Sequence, residues 1–387
     1  MSIRLVGSPT DDDSLSVAYP PRQASQLSQR RIPHLDLVST KQSSATVNFG
    51  TPTLVAEHRV GLRRLRWFEG ITAAFHLVQA VALAALVTQK HGSLAAPVSI
   101  PYTTWPSHNS TGAARHYSYP KPYVVGKLHI EWMIFAFFML SFAFQAFAVS
   151  PLYYPTFKRL LVEHYAQPLR WIEYSVSASL MILIFAVLDN ILDFTFLFLL
   201  FAAFFLLQWL GMLSEMALAV RKNAEQQAAR LDAATAELDM LKRELAASST
   251  EATGMISRLQ EHTDETRGAL LTGRWYVFFL PHMLGWLIYI VVSGIFVIKF
   301  DLAIVNAPDD VPSWVTFLYS IQFIIMSLFG VVQLAEEIAV YRLPPDRCPS
   351  VAIAAETAYT VLSLTAKSVL AWILYANLLA EKGISYA

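Results

Sequence analysis

From Trp67 onward the chain is one apolar stretch after another, each about as long as the ~20 residues a helix needs to cross a bilayer. The spans read as 67–89, 128–149, 170–188, 194–220, 275–298, 313–338 and 353–379. Inside lipid no water is present to pair with backbone N–H and C=O groups, and a helix satisfies its own. The sequence therefore predicts an all-α membrane protein with seven transmembrane helices. Composition agrees: 55% of residues are hydrophobic and only 15% charged, against about 25% charged in soluble proteins. A net charge of zero argues against a nucleic-acid partner. The single cysteine, Cys348, leaves no internal disulfide to form.

Residues 1–55 are rich in Ser, Pro, Thr, Gln and Asp and show no helical period, which predicts a disordered tail. The first 50 residues also lack the basic start and apolar core of a cleavable signal peptide. Residues 56–220 hold helices one to four, 221–272 form a polar insert, and 273–387 hold helices five to seven with the C-terminus. The insert is rich in Ala, Glu, Lys and Gln and reads as helix, with Leu231, Leu238 and Leu245 seven residues apart and Leu241 on the same stripe. Two readings are open: a solvated extension of the fourth helix, or a coiled-coil stalk for dimerisation or a cytoplasmic protein partner. Ser248, Ser249, Thr250 and Gly254 would interrupt it as a hinge.

Arg59, Arg63, Arg64, Arg66, Lys158, Arg159, Arg170, Arg342 and Arg347 all fall at one end of the bundle, whereas Asp189, Asp193, Asp301, Asp309 and Asp310 fall at the other. Excess positive charge marks the cytoplasmic side, so the N-terminus is expected in the cytoplasm and the C-terminus outside. A glycosylation sequon at Asn109-Ser110-Thr111 would then lie in the first outer loop, although so short a motif often arises by chance.

Ionisable groups deep in a span are costly, and so are informative. Lys367 lies in Ser363-Leu364-Thr365-Ala366-Lys367-Ser368, well inside the seventh span. At 1.5 Å per residue it is roughly 16–20 Å from either end, too far for its stem to reach water. It is either an ion-paired structural or gating lysine, or an amine that loses its proton readily and condenses with an aldehyde as a Schiff base. A protonated Schiff base in a dry pocket needs an opposite charge. Glu173 on the third helix is the candidate; its competing reading is an interfacial glutamate paired with Arg170 one turn away. Ser177 stands four residues after Glu173, and Ser363 four before Lys367, so two hydroxyls are expected to share hydrogen bonds with the pair.

The run Arg-Trp-Ile-Glu-Tyr-Ser-Val-Ser-Ala-Ser-Leu-Met at 170–181, with Ser-Leu-Thr-Ala-Lys-Ser at 363–368, resembles the third and seventh helices of the heliorhodopsins. The resemblance covers roughly 60–380, outside the tail and the insert. It implies a rhodopsin bundle of inverted topology, all-trans retinal on Lys367, Glu173 as counterion with Ser177 and Ser363 beside it, a homodimer in membrane lipid, and light-driven isomerisation with a slow return. Tyr174, Met181, Trp286 and Trp372 are candidates to pack the polyene; aromatic and Met residues are also ordinary core. His76 resembles the family's histidine in a cytoplasmic-side polar cavity near Arg170, or else bonds between helices. Where the family commonly has a second such histidine, this chain has Gln145, which takes up no proton at ordinary pH.

Three functions remain in view: a light sensor signalling to a partner, a light-driven or light-gated proton transporter, and a membrane receptor or transporter without chromophore. Active pumping is not expected. Three turns beyond Glu173 stands Ile184, and beyond Lys367 come only Ser368, Trp372, Tyr375 and Asn377. Glu131, a turn into the second helix, is the one outer carboxylate that weakens that expectation. Zinc motifs, phosphate loops and nucleophile elbows are not apparent, so no enzyme activity is expected.

Overall fold

A computed structural model describes residues 58–89, 95–102, 122–245, 275–306 and 311–379. All of them fall in the unit that begins at Gly50. The elements are α1 (Arg59–Gln89), β1 (Ala95–Ile100), β2 (Tyr123–His129), α2 (Ile130–Val149), α3 (Tyr154–Glu163), α4 (Pro168–Leu188), α5 (Phe194–Leu245), α6 (Trp275–Asn306), α7 (Ser313–Arg342) and α8 (Cys348–Leu374), the last followed by a π-helical turn at Tyr375–Leu379. Seven of these helices are long and apolar enough to cross a membrane: α1, α2 and α4–α8. The protein is a multi-pass integral membrane protein, consistent with a rhodopsin bundle.

Packing runs α1 on α2, α2 on α4, α4 on α5, α5 on α6, α6 on α7, α7 on α8 and α8 back on α1, which closes a ring. α4 is the most enclosed span, with 67% of its apolar stretch buried against 11% for α6. That difference explains where polar side chains are tolerated. On α1 the buried residues Leu62, Leu65, Glu69, Thr72, His76, Gln79 and Leu83 recur at three- and four-residue steps, one helical stripe. Its exposed face carries Trp67, Ile71, Phe75 and Val78. Polar groups face the bundle and apolar groups face outward, the distribution lipid demands.

Two apolar clusters bracket a polar layer. One holds Phe137, Phe138, Ile182, Ile184, Phe185, Leu370 and Leu374. The other, at the end where α1 begins, holds Leu62, Leu65, Phe157, Leu161, Leu218 and Val340. Between them lie the buried groups Glu69, Arg170, Glu173, Glu215, Glu336 and Glu356.

Several boundaries differ from the sequence reading. Residues 128–129 belong to β2, which pairs antiparallel with β1 from Ala95↔His129 to Ile100↔Tyr123. Ser99 N–H donates to Leu192 O at 2.9 Å, tying this hairpin to the α4–α5 turn. A window tuned to helical spans passes over such short strands. The amphipathic helix α3 falls outside the seven spans; Phe157, Leu161 and Val162 bury one face of it and Pro155 fits its first turn. α5 continues without a break through position 220 to Leu245, 52 residues in all. The side chains of Leu238, Leu241 and Leu245, the hinge at 248–254, the sequon at Asn109 and the tail 1–55 lie outside the described residues.

Candidate functional site

Glu356, Thr360, Ser363, Lys367, Leu370 and Leu374 form the buried stripe of α8. Lys367 is 2% exposed. Its Nζ donates to Glu173 Oε1 at 2.7 Å and to Ser363 Oγ at 2.7 Å. The same Glu173 oxygen accepts from Ser141 Oγ on α2 at 2.5 Å. The two ions read from separate helices therefore meet, and pairing with hydrogen bonds is what makes a buried charge affordable. Glu173 does not pair with Arg170, which closes that reading of it. The hydroxyl that donates to Glu173 is Ser141, not the expected Ser177. Helical side chains lean toward the N-terminus, so Lys367 reaches back to Ser363 while Glu173 leans away from Ser177.

Ser177 instead lines a cavity with Lys367 on its wall, flanked by Tyr174, Met181, Trp286, Phe204 and Phe329. It leaves about 860 Å³ empty, part of it open to the outside. Glycines admit two of its indoles. A Cβ on Gly211 would lie 2.5 Å from the Trp171 ring, and one on Gly330 2.7 Å from the Trp286 ring. Trp372, expected among these residues, is elsewhere: its indole N–H donates to Gln79 Oε1 at 2.8 Å between α8 and α1. Five residues at 100° each turn it well away from Lys367. At the cavity edge Trp286 Nε1 donates to His282 Nε2 at 2.8 Å, and His282 Nδ1 is 3.4 Å from Glu337.

Glu173 also borders a second, smaller cavity, lined by Glu69, Gln145, Gln167, Arg170, Glu356 and Thr360 among others. Arg170 donates to Glu215 at 2.8 Å and to Glu356, while Trp171 Nε1 donates to the other oxygen of Glu215. Gln145 and Arg170 thus line one polar cavity together. His76 does not line it: fully buried, its ring is 5.8 Å from Phe138, and neither nitrogen has a hydrogen-bond partner. The sequence reading missed Ser141, Glu69, Glu215, Glu336, Glu337, His282 and Glu356. Glu356 stands about three turns before Lys367 in the seventh span. Its spacing with 360, 363 and 367 was the available signal, since those positions share one helical face.

The heliorhodopsin family model matches residues 65–230 and 244–379. The chain belongs to the heliorhodopsin family. A search of curated proteins finds no match to it. Heliorhodopsin membership implies a retinal-binding membrane photoreceptor. The residues fit such a group: a buried amine stands at the wall of an aromatic cavity, and two glycines leave room where side chains would crowd its indoles.

Proposed function

We propose that this heliorhodopsin is a light sensor that carries all-trans retinal on Lys367, with Glu173 as counterion, and pumps no ions. The observation behind this reading is the 2.7 Å ion pair between Lys367 and Glu173 at the wall of the aromatic cavity. Joined to Lys367 as a Schiff base, retinal would supply visible absorption and a bond that isomerises in light. Glu173 holds a positive charge on the Lys367 nitrogen, and Ser141 and Ser363 fix the two partners. Tyr174, Met181 and Trp286 contribute to the largely apolar lining of the cavity around them.

We place the N-terminus in the cytoplasm because the arginine-rich end of the bundle is the one where α1 begins. A homodimer and a cytoplasmic partner reached through 221–272 complete the proposal. The test is an absorption spectrum with added retinal. K367A should fold and lose the visible band completely, and E173Q should keep a band shifted to the red. A covalent visible chromophore in K367A would sink the assignment.

A further inference from the structure

Thr360 Oγ1 contacts two acceptors at once, Glu69 Oε1 on α1 and the backbone oxygen of Glu356 at 2.9 Å. A hydroxyl has one hydrogen, and a carbonyl oxygen can only accept. If that hydrogen points to Glu356, the contact with Glu69 closes only when Glu69 brings a proton of its own. If it points to Glu69, an ionised carboxylate accepts it. One rotation of a hydroxyl therefore satisfies either form, and no heavy atom moves.

The surroundings leave Glu69 free to use both forms. It is 3% exposed and makes no salt bridge among the described residues. The groups facing its cavity are Gln145 from α2, Phe157 from α3, Arg170, Glu173 and Tyr174 from α4, and Glu356 with Thr360 from α8. On α1 itself His76 lies two turns on, along the same buried stripe. Both nearby cations are engaged, Arg170 by Glu215 and Glu356 and Lys367 by Glu173. Gln167 is 1% exposed and lines the cavity with neither amide atom bonded to protein, and Gln145 Oε1 is also without a partner. Such groups favour ordered water, through which protons exchange.

We propose that Glu69 and Thr360 form a two-state proton site, and that ionised Glu69 acts as a second counterion to the Lys367 nitrogen through the wall that Glu173 provides. The optical consequence rests on Lys367 carrying the chromophore. Negative charge added near the positive nitrogen in a low-dielectric site stabilises the dark state and moves absorption to shorter wavelength.

The experiment is a pH titration of the visible band. Wild type should show a transition to shorter wavelength with rising pH that E69Q lacks. E69D should retain it, and T360V should retain it at a displaced midpoint. Superimposable titrations of wild type and E69Q overturn the proposal. A second readout needs no chromophore: infrared titration of the retinal-free protein should show a carboxylic-acid carbonyl band that fades as pH rises and is missing in E69Q. Persistence of that band in E69Q also overturns the site. If no variant forms a pigment, the Lys367 reading fails, and the infrared titration still decides the proton site.

Discussion

Gly330 shows how one missing atom shapes the cavity. The Trp286 ring occupies the space where its Cβ would stand, 2.7 Å from Cζ2. G330A should push the indole into the cavity and cost about 1–3 kcal/mol, the usual penalty for overpacking. The measurement is thermal bleaching together with the rate of retinal uptake, and both should worsen. Gly285 lines the same cavity, but a Cβ there meets nothing within 4 Å. G285A should therefore equal or exceed wild type in resistance to thermal bleaching, since Ala favours helix over Gly; equal losses in both variants would remove the steric explanation. At this scale the Lys367–Glu173 pair was legible, because a charge inside an apolar run stands out. Ser141 was not, because nothing along the chain says that α2 turns that hydroxyl toward α4. Trp372 was misplaced because residue type, and not helical phase, had nominated it.

Among the elements, α5 depends most on contacts invisible in sequence. Lys222 is buried, and its Nζ donates to the carbonyls of Tyr341 and Leu343 at the end of α7, and to Glu225 at 2.6 Å. A cation at a helix C-terminus satisfies carbonyls that the helix itself leaves open. K222M should lower stability by about 1.5–3 kcal/mol, the range for hydrogen bonds involving a charged group, with little change in colour. Thermal denaturation followed at the visible band measures it, and an unchanged midpoint would remove the capping role. Gln226 likewise donates to Tyr165 Oη at 2.8 Å. A deletion meant to spare the bundle must therefore begin beyond Gln226, not at 222 where the composition turns polar. Hydropathy located all seven spans because burial in lipid acts on whole stretches. It missed β1, β2 and α3, whose apolar residues are few and whose order comes from packing against their neighbours.

In the molecule as a whole, buried titratable groups crowd toward the end where α1 begins. Beyond Lys367 the opposite half is filled by Phe137, Phe138, Ile184, Phe185, Leu370 and Leu374. Glu131 sits in the first turn of α2, 3.3 Å from His129 Nδ1, on the far side of that apolar plug. A pump needs exchangeable groups on both sides of the nitrogen it empties. Patch-clamp recording under light should show no sustained current at zero voltage and symmetric pH. Such a current would overturn the prediction, and its loss in E131Q would identify the route. A current that appears only under a voltage or pH gradient would make the protein a light-gated channel. α5 touches the cavity at Gly211 and continues to Leu245 as one helix. Gln226 still ties it to Tyr165, and at 1.5 Å per residue the arm beyond that contact is about 28 Å long, so a tilt of about 3° there sweeps its tip through about 1.5 Å. The helix is a lever whose fulcrum is the edge of the bundle and not the cavity wall, and a displacement at the Gln226 contact grows along the arm toward the tip.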